Sequence, residues 1–282
     1  LKSWRFSPSL GYNVLHMNHL EALESKTIYL LREAYARFRH IGLLWSIGKD
    51  STTLLWIARK AFFGEIPFPV IHIDTGYKFG EIYDFRNRYA KAWHLNLIIS
   101  QNREALSRGV SPVMGKFECC NALKTEALKI TLREYGFKGL LLAIRRDEHG
   151  IRAKERYFSP RDTDFLWNYR NQPAEIWDFY KPGVEESQHL RIHPMLHWTE
   201  FDIWSYIELE RIPMVNLYFA KKGKRYRSIG CATCCAPINS KADTIRKIVK
   251  ELKTTREAER SGRAQDKENV YTMQKLRSLG YM

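Results

Sequence analysis

The sequence predicts an α/β fold: a doubly wound, mainly parallel sheet with helices on both faces, followed by a basic C-terminal extension. Three observations predict it. Short apolar runs at 41–45, 70–73, 95–99 and 139–144 alternate with stretches of helical spacing, as expected of strands buried on both faces. Polar segments at 46–51, 74–79 and 145–156 follow three of these runs, and open α/β sheets bind ligands beyond the carboxyl ends of their strands. The chain has 282 residues, 44% of them hydrophobic, which suits one large domain or a domain with an appendage.

The elements follow in order. Residues 1–16 read as an irregular arm, and 17–218 as the main domain. From Asn18, the spacing of Leu20, Leu23, Ile28, Leu31 and Tyr35 predicts a helix. The first strand, 41–45, leads into a Ser/Gly/Asp loop and a helix over 52–63. Gly64 and Pro67 break the chain before the second strand, which ends at Asp74-Thr75-Gly76. A helix carrying Glu81, Tyr83, Phe85 and Tyr89 precedes the third strand. Residues 101–117 read as loop, and Cys119 opens a helix running to about Tyr135. The fourth strand ends in Arg145-Arg146-Asp147-Glu148. Past 157 the pattern is less regular, with Trp167, Trp177 and Trp198 among charges. Thr199 with Asp202 three residues on predicts a capped helix start. The segment 219–282 is dominated by charge and holds a cysteine cluster.

Composition narrows the function. Lys plus Arg number 46 against 31 Asp plus Glu, a net charge of +15, and such a protein attracts nucleotides, nucleic acid or an acidic partner. No stretch reaches eighteen apolar residues and the first thirteen residues lack a signal-peptide layout, so no membrane span and a cytoplasmic location are expected. All five cysteines fall in two clusters, Cys119-Cys120 and Cys231-x-x-Cys234-Cys235, which favours a metal or redox role over stable disulfides.

The loop Ser46-Ile47-Gly48-Lys49-Asp50-Ser51 lies between a strand and a helix. Gly48 lets backbone approach an anion. The N–H groups around 49–52 would point at a phosphate from a helix N-terminus. Ser46 and Ser51 add hydroxyls and Lys49 a charge. This is neither a Walker A loop, since Gly42 is one residue too far back and Asp50 follows the lysine, nor a dinucleotide fingerprint.

The loop resembles the Ser-Gly-Gly-x-Asp-Ser loop of the ATP pyrophosphatase group, within the phosphoadenylyl-sulfate reductase family. Ile47 departs from the general pattern but matches one branch, the small subunit of bacterial two-subunit ATP sulfurylase. The resemblance runs from His19 to Met282. It includes His19-Leu20-Glu21-Ala22-Leu23-Glu24, the strand ending at Asp74-Thr75, Arg145-Arg146-Asp147-Glu148, Arg152-Ala153-Lys154-Glu155-Arg156, Trp198-Thr199-Glu200 and Glu259-Arg260-x-Gly262-Arg263. It implies an adenine-nucleotide α-hydrolase-like fold that binds ATP with Mg²⁺ and cleaves it between the α and β phosphates. Residues 46–51, Asp74 and Thr75 would then bind nucleotide, with Lys49 on the leaving pyrophosphate. Arg145, Arg146, Lys154 and Arg156 would hold the attacking oxyanion or the α phosphate, and Asp50 and Asp74 would orient metal, water or ribose.

Two departures stand against this pattern. The sulfurylase subunit carries a long insertion between its Leu-Tyr-Phe and Gly-Cys motifs. Here Leu217-Tyr218-Phe219 reaches Gly230-Cys231 through a short basic hairpin-like loop with Lys221, Lys222, Lys224, Arg225 and Arg227. The thiols Cys119, Cys120, Cys231 and Cys234 resemble the ligand set of a [4Fe–4S] cluster in adenylyl-sulfate reductases, and four thiolates also suit zinc. Yet no cysteine follows Cys235, where those reductases place their nucleophile.

Three readings follow. The first is activation of sulfate, or another oxyanion of sulfur metabolism, with a GTPase large subunit as partner. The second is an iron–sulfur component of DNA phosphorothioation, partnered with a cysteine desulfurase. The third is a non-catalytic ATP-binding subunit. A homo-oligomer is compatible with each.

Overall fold

The computed structural model describes residues 18–175, 189–264 and 272–281. The arm expected over 1–16 and Trp177 lie outside them. Helix α1 (His19–Phe38) starts where the spacing predicts. The Asn18 side chain accepts the Glu21 N–H, and Glu21 returns to the Asn18 N–H, a reciprocal cap that satisfies two otherwise orphaned donors.

Six strands form one sheet in the order β3 (Leu97–Ser100), β2 (Val70–Ile73), β1 (Ile41–Leu44), β4 (Gly139–Leu141), β6 (His189–Ile192), β5 (Phe158–Arg161). All pairs are parallel except β5 with β6. The chain winds outward from β1 in one direction through β2 and β3, then returns to β4 on the other side of β1. The switch point therefore lies between β1 and β4, where such sheets open a crevice. Leu43, Val70, Ile71, Leu140, Leu141, Leu190 and Ile192 are buried in the core between sheet and helices.

Some elements depart from the expectation. The third strand begins at Leu97, because the Leu95 N–H is used to close the preceding helix, α3 (Gly80–Ala92), on the Ala90 carbonyl. The loop expected over 101–117 holds a five-residue helix, α4 (Arg103–Ser107), capped by Asn102, and a single 3₁₀ turn at Pro112–Met114. Neither is long enough to show a period. The helix expected from Cys119 starts earlier, as α5 (Lys116–Cys120), and continues through a π-helical turn (Asn121–Glu126) into α6 (Ala127–Tyr135). Gly136 ends it with φ 63°, the left-handed stop that glycine adopts without steric cost.

Strands β5 and β6 do not read as apolar runs, and one of their two buried faces shows why. Ser159 and Arg161 pair with Arg191 and His189 across that face. Glu155 accepts from Arg161 (2.9 Å) and from Arg277, while Arg191 donates to the Tyr281 carbonyl (2.8 Å) and to that of Gly280. Burial here follows paired charge rather than hydrophobicity.

Helix α7 (Glu200–Glu210) has the expected Thr199–Asp202 box. Beyond it, the basic loop turns back through a bridge between Lys221 and Lys224, and its β7 (Lys224–Arg225) pairs antiparallel with β8 (Ile238–Asn239) past the cysteines, with Lys221, Lys222 and Lys224 exposed. Helix α8 (Ile245–Leu252) caps on Thr244 and contributes Ile248 to the same core as the sheet. Helix α9 (Thr272–Ser278) brings Arg277 and, just beyond, Tyr281 back to the sheet edge. Among the described residues no helix is long and apolar enough to cross a membrane.

Candidate active site

Strand β1 delivers Trp45 to the loop, and helix α2 (Lys49–Ala61) starts at Lys49, three residues earlier than read from sequence. Ile47 turns the chain at φ 64°. For a β-branched residue this conformation costs on the order of 1–3 kcal/mol, and full burial of the side chain in the core opposes that cost. Gly48 has an ordinary φ of −76°, so its missing side chain matters for space. A Cβ there would lie 3.3 Å from Ser46 Oγ and 3.6 Å from the Tyr218 hydroxyl. No side chain caps the helix at Gly48. The Lys49 N–H donates to the Tyr218 hydroxyl at 2.8 Å, and the hydroxyls of Ser46 and Ser51 lie 3.0 Å apart. The result is a helix N-terminus open to an anion.

Two buried cations stand behind the loop. Lys49 meets Asp50 at 3.2 Å and Glu259; Arg145 meets Asp147 at 2.9 Å, Asp50 and Glu259. Burial alone would lower both pKa values. Asp50 and Glu259 outweigh it and hold both pKa values above the ordinary range. In turn, burial pushes the Glu259 carboxyl up, but Arg145 and Lys49 bring it below the usual carboxylate range.

The loop forms one wall of a cavity. Ser46, Gly48, Lys49 and Ser51 face Lys78, Lys124, Arg152, Arg260 and Arg263 across it. The last two arrive on a segment stitched beside the cysteines: Ala236 N–H donates to the Gly262 carbonyl (2.9 Å) and Ala264 N–H to that of Cys234 (3.0 Å). Only glycine fits at 262, since a Cβ would meet the Ala236 carbonyl oxygen at 2.5 Å. Glu148 steadies Arg152 and, at 3.2 Å, Arg260.

The expected site residues divide into two sets. Ser46, Ile47, Gly48, Lys49, Asp50, Ser51 and Arg145 are brought together as described. Arg146 turns to His197 and lies over the Tyr157 ring, Lys154 is exposed beside a second cavity with Trp167 and Tyr169, and the Arg156 carbonyl lies 2.7 Å from His193 Nδ1. None of these three lines the phosphate-loop cavity. Asp74 accepts from Gly76 N–H and Tyr83 O–H, both at 2.9 Å, while the Thr75 hydroxyl lies 3.2 Å from Cys231 Sγ. The cations that do line the cavity (Lys78, Lys124, Arg152, Arg260 and Arg263) and the carboxylate Glu259 were not assigned from sequence. Their available signals were Arg152-Ala153-Lys154-Glu155-Arg156, of which Lys154 and Arg156 were assigned instead, and Glu259-Arg260-x-Gly262-Arg263, two arginines flanking a glycine after an acid.

Cys119, Cys120, Cys231 and Cys234 are buried in one neighbourhood. Their chemistry suits a soft metal, but their arrangement does not: among the described residues no group of three or more His, Cys, Asp or Glu side chains could hold a metal ion. The thiols also differ sharply. Burial, then Cys120 and Cys231, push Cys119 up to about 12. Burial raises Cys231 too, yet Lys124, Lys78, the Thr75 hydroxyl and Arg263 bring it down to about 7. Cys235, the fifth thiol, accepts the Gly230 N–H at 3.0 Å.

Comparison with known proteins fits this geometry. The profile of the phosphoadenosine phosphosulfate reductase domain matches residues 40–237. Sulfate adenylyltransferase subunit 2 of Bacteroides fragilis (strain YCH46) is 39% identical over 296 residues, covering 94% of this chain and 98% of its own. The same-named protein of Escherichia coli O157:H7 (strain EC4115 / EHEC) is 37% identical over 298 residues, covering 95% and 99%. These alignments are longer than the 282-residue chain, so parts of the relatives have no counterpart here. Two solved structures share the fold. One is the FMN adenylyltransferase of Candida glabrata in complex with ATP (TM-score 0.54, 18% identity, 77% of this chain and 63% of that one). The other is the phosphoadenylyl-sulfate reductase of Candida auris in a phosphate complex (TM-score 0.53, 17% identity, 84% and 100%).

Proposed function

Because the chain belongs to the phosphoadenosine phosphosulfate reductase domain family, and within it to the sulfate adenylyltransferase subunit 2 group, we propose that it activates sulfate with ATP. A sulfate oxygen attacks the α phosphorus, the new S–O–P linkage forms, the bond from the α phosphorus to the bridging oxygen breaks, and pyrophosphate leaves. The observation that carries this reading is the N-terminus of α2, where Gly48 supplies no capping side chain and Lys49 lies beneath, opening into a cavity of cations.

The residues divide the work. The α2 amides, Ser46, Ser51, Lys49 and Arg145 receive the β and γ phosphates and neutralise the charge that builds on them. Lys78, Lys124, Arg152, Arg260 and Arg263 present positive charge to the sulfate and the α phosphate. Asp74, at the end of β2, orients the adenosine. Asp50 would hold Mg²⁺, which neutralises phosphate charge when it arrives with the nucleotide; one or two carboxylates plus phosphates suffice for that ion. The partner is the companion large subunit, a GTPase by the resemblance drawn from sequence. The DNA-thiolation reading gains nothing from these relatives, and no step passes through the thiols.

The test is pyrophosphate release from ATP in the presence of the large subunit. Release that requires sulfate is expected. Release indifferent to sulfate, or none, ends the proposal. Lys49→Met should lower kcat/KM on the order of 10³-fold, as loss of a preorganised charge at the leaving group does, while circular dichroism shows the fold retained.

A further inference from the structure

We propose that Glu259 is a stand-in for a nucleotide phosphate: a positioning residue that holds Lys49 and Arg145 in their binding posture until the leaving phosphates displace it. The inference rests on the reading above that these two cations receive pyrophosphate.

The geometry is that of a bridging oxyanion. One Glu259 oxygen meets Lys49 Nζ and the other meets Arg145 Nη2, as two oxygens of a phosphate would. The remaining carboxylates on these cations are local. Asp50 follows Lys49 and Asp147 lies two residues past Arg145, whereas Glu259 comes from a segment far along the chain. That segment also carries Arg260 and Arg263, which line the cavity the nucleotide must enter.

The charges oppose coexistence. Two cations already carry three carboxylates, so the cage is closed to a further anion. Glu259 is itself disfavoured by burial and by Glu148, and only Arg145 and Lys49 keep it ionised. Glu200 sits close enough to be raised by Glu259 in turn. A pyrophosphate drawn onto the same two cations repels the carboxylate and weakens its hold. What remains is Lys49 and Arg145 balanced by Asp50 and Asp147, with two donor directions open to the leaving group. Without Glu259, Lys49 and Arg145 would keep only their local partners Asp50 and Asp147, with no distant carboxylate to fix their posture before nucleotide arrived.

The experiment is calorimetric titration of inorganic pyrophosphate, with and without Mg²⁺, into wild type and Glu259→Gln. The variant is expected to bind pyrophosphate about tenfold tighter in both titrations, because the competing charge is gone. Its melting temperature falls at the same time, since a structural partner is weakened. A residue with a structural role alone would lower the melting temperature and leave affinity equal or weaker, and that result overturns the proposal. Weaker binding confined to the Mg²⁺ titration makes Glu259 a metal ligand and overturns it as well. Glu259→Asp, which keeps the charge but withdraws it by one methylene, is expected to fall between; it carries the test if the glutamine variant does not fold. Pyrophosphate that fails to bind wild type and both variants removes the underlying reading of Lys49 and Arg145, whereas binding to wild type with no gain in the variants removes this inference alone.

Discussion

The two ends of the cavity handle positive charge in different ways. At the loop end, Lys49 and Arg145 are saturated by Asp50, Asp147 and Glu259. At the thiol end, no carboxylate among the described residues is in ion-pair range of Lys78, Lys124 or Arg263; the Lys124 ammonium donates to the Tyr281 hydroxyl at 3.2 Å, and Arg263 reaches Cys235 Sγ at 3.5 Å. Thiols offset charge there: Cys120 and Cys231 act on Lys124 and Cys231 on Lys78, and against burial Lys124, Lys78, the Thr75 hydroxyl and Arg263 bring Cys231 to about 7. One end is preorganised and closed, the other is open and only partly compensated. On the proposed function, that contrast suits the two ends to different tasks: the first to release its cations to a strong, multiply charged anion, and the second to attract a weaker one such as sulfate.

The largest way to break the comparison is to move the segment that serves both ends. Gly262→Ala drives a Cβ into the Ala236 carbonyl. Backbone cannot yield as a long side chain can, so Glu259, Arg260 and Arg263 must shift together. We expect loss of about 3 kcal/mol in urea unfolding, with pyrophosphate release and sulfate dependence both abolished. A variant that loses only one of them would show that the ends are held independently.

A smaller change sharpens the contrast. Lys124→Gln removes charge from the thiol end and leaves the loop end untouched. The expected result is a fall in kcat/KM for sulfate on the order of 10²-fold, equivalent to about 2.7 kcal/mol, with pyrophosphate affinity within twofold of wild type. An equal loss in both measurements would merge the two ends into one site.

The phosphate loop was legible in the sequence and the cations that converge on its cavity were not, for a physical reason. Ser46 to Ser51 act through backbone amides and a helix start, which are local and leave a contiguous motif. Lys78, Lys124, Arg152, Arg260 and Arg263 come from four separate stretches, and only the sheet topology converges them. Arg146, Lys154 and Arg156 looked equivalent to Arg145 because they share its charge and neighbourhood in sequence. The chain turns after Arg145, and only that residue, at the end of the β4 run, faces the loop. The same logic explains β5 and β6. One buried face is built from Arg161, Arg191, His189 and Glu155 while Leu190 and Ile192 fill the other, so the strands show a short polar–apolar alternation and no apolar run. In contrast, Thr199 with Asp202 signals a helix start through contacts three residues apart and is legible as such, whereas the start of α1 is legible from its apolar spacing, with the Asn18–Glu21 cap added by the structure.

The smallest expected effect tests the thiol end directly, through Cys231. Its pKa in the folded chain is near 7, against an ordinary value of 9.0. A depressed acid binds fewer protons in the folded state than in the unfolded state between those two values, so folding stability rises with pH across that window. The contribution is complete above the unfolded value and fades as pH falls through 7. Between pH 7 and pH 8.5 the gain is about 1 kcal/mol, read as a rise in the urea midpoint at constant slope. Cys231→Ser should flatten that rise, and alkylation of the wild-type thiol should show a midpoint near pH 7 that moves upward in Lys124→Gln. A midpoint at the ordinary value in both proteins would mean that Lys78, Lys124 and Arg263 do not act on Cys231. Their charge would then be offset elsewhere, and the difference between the two ends of the cavity would disappear.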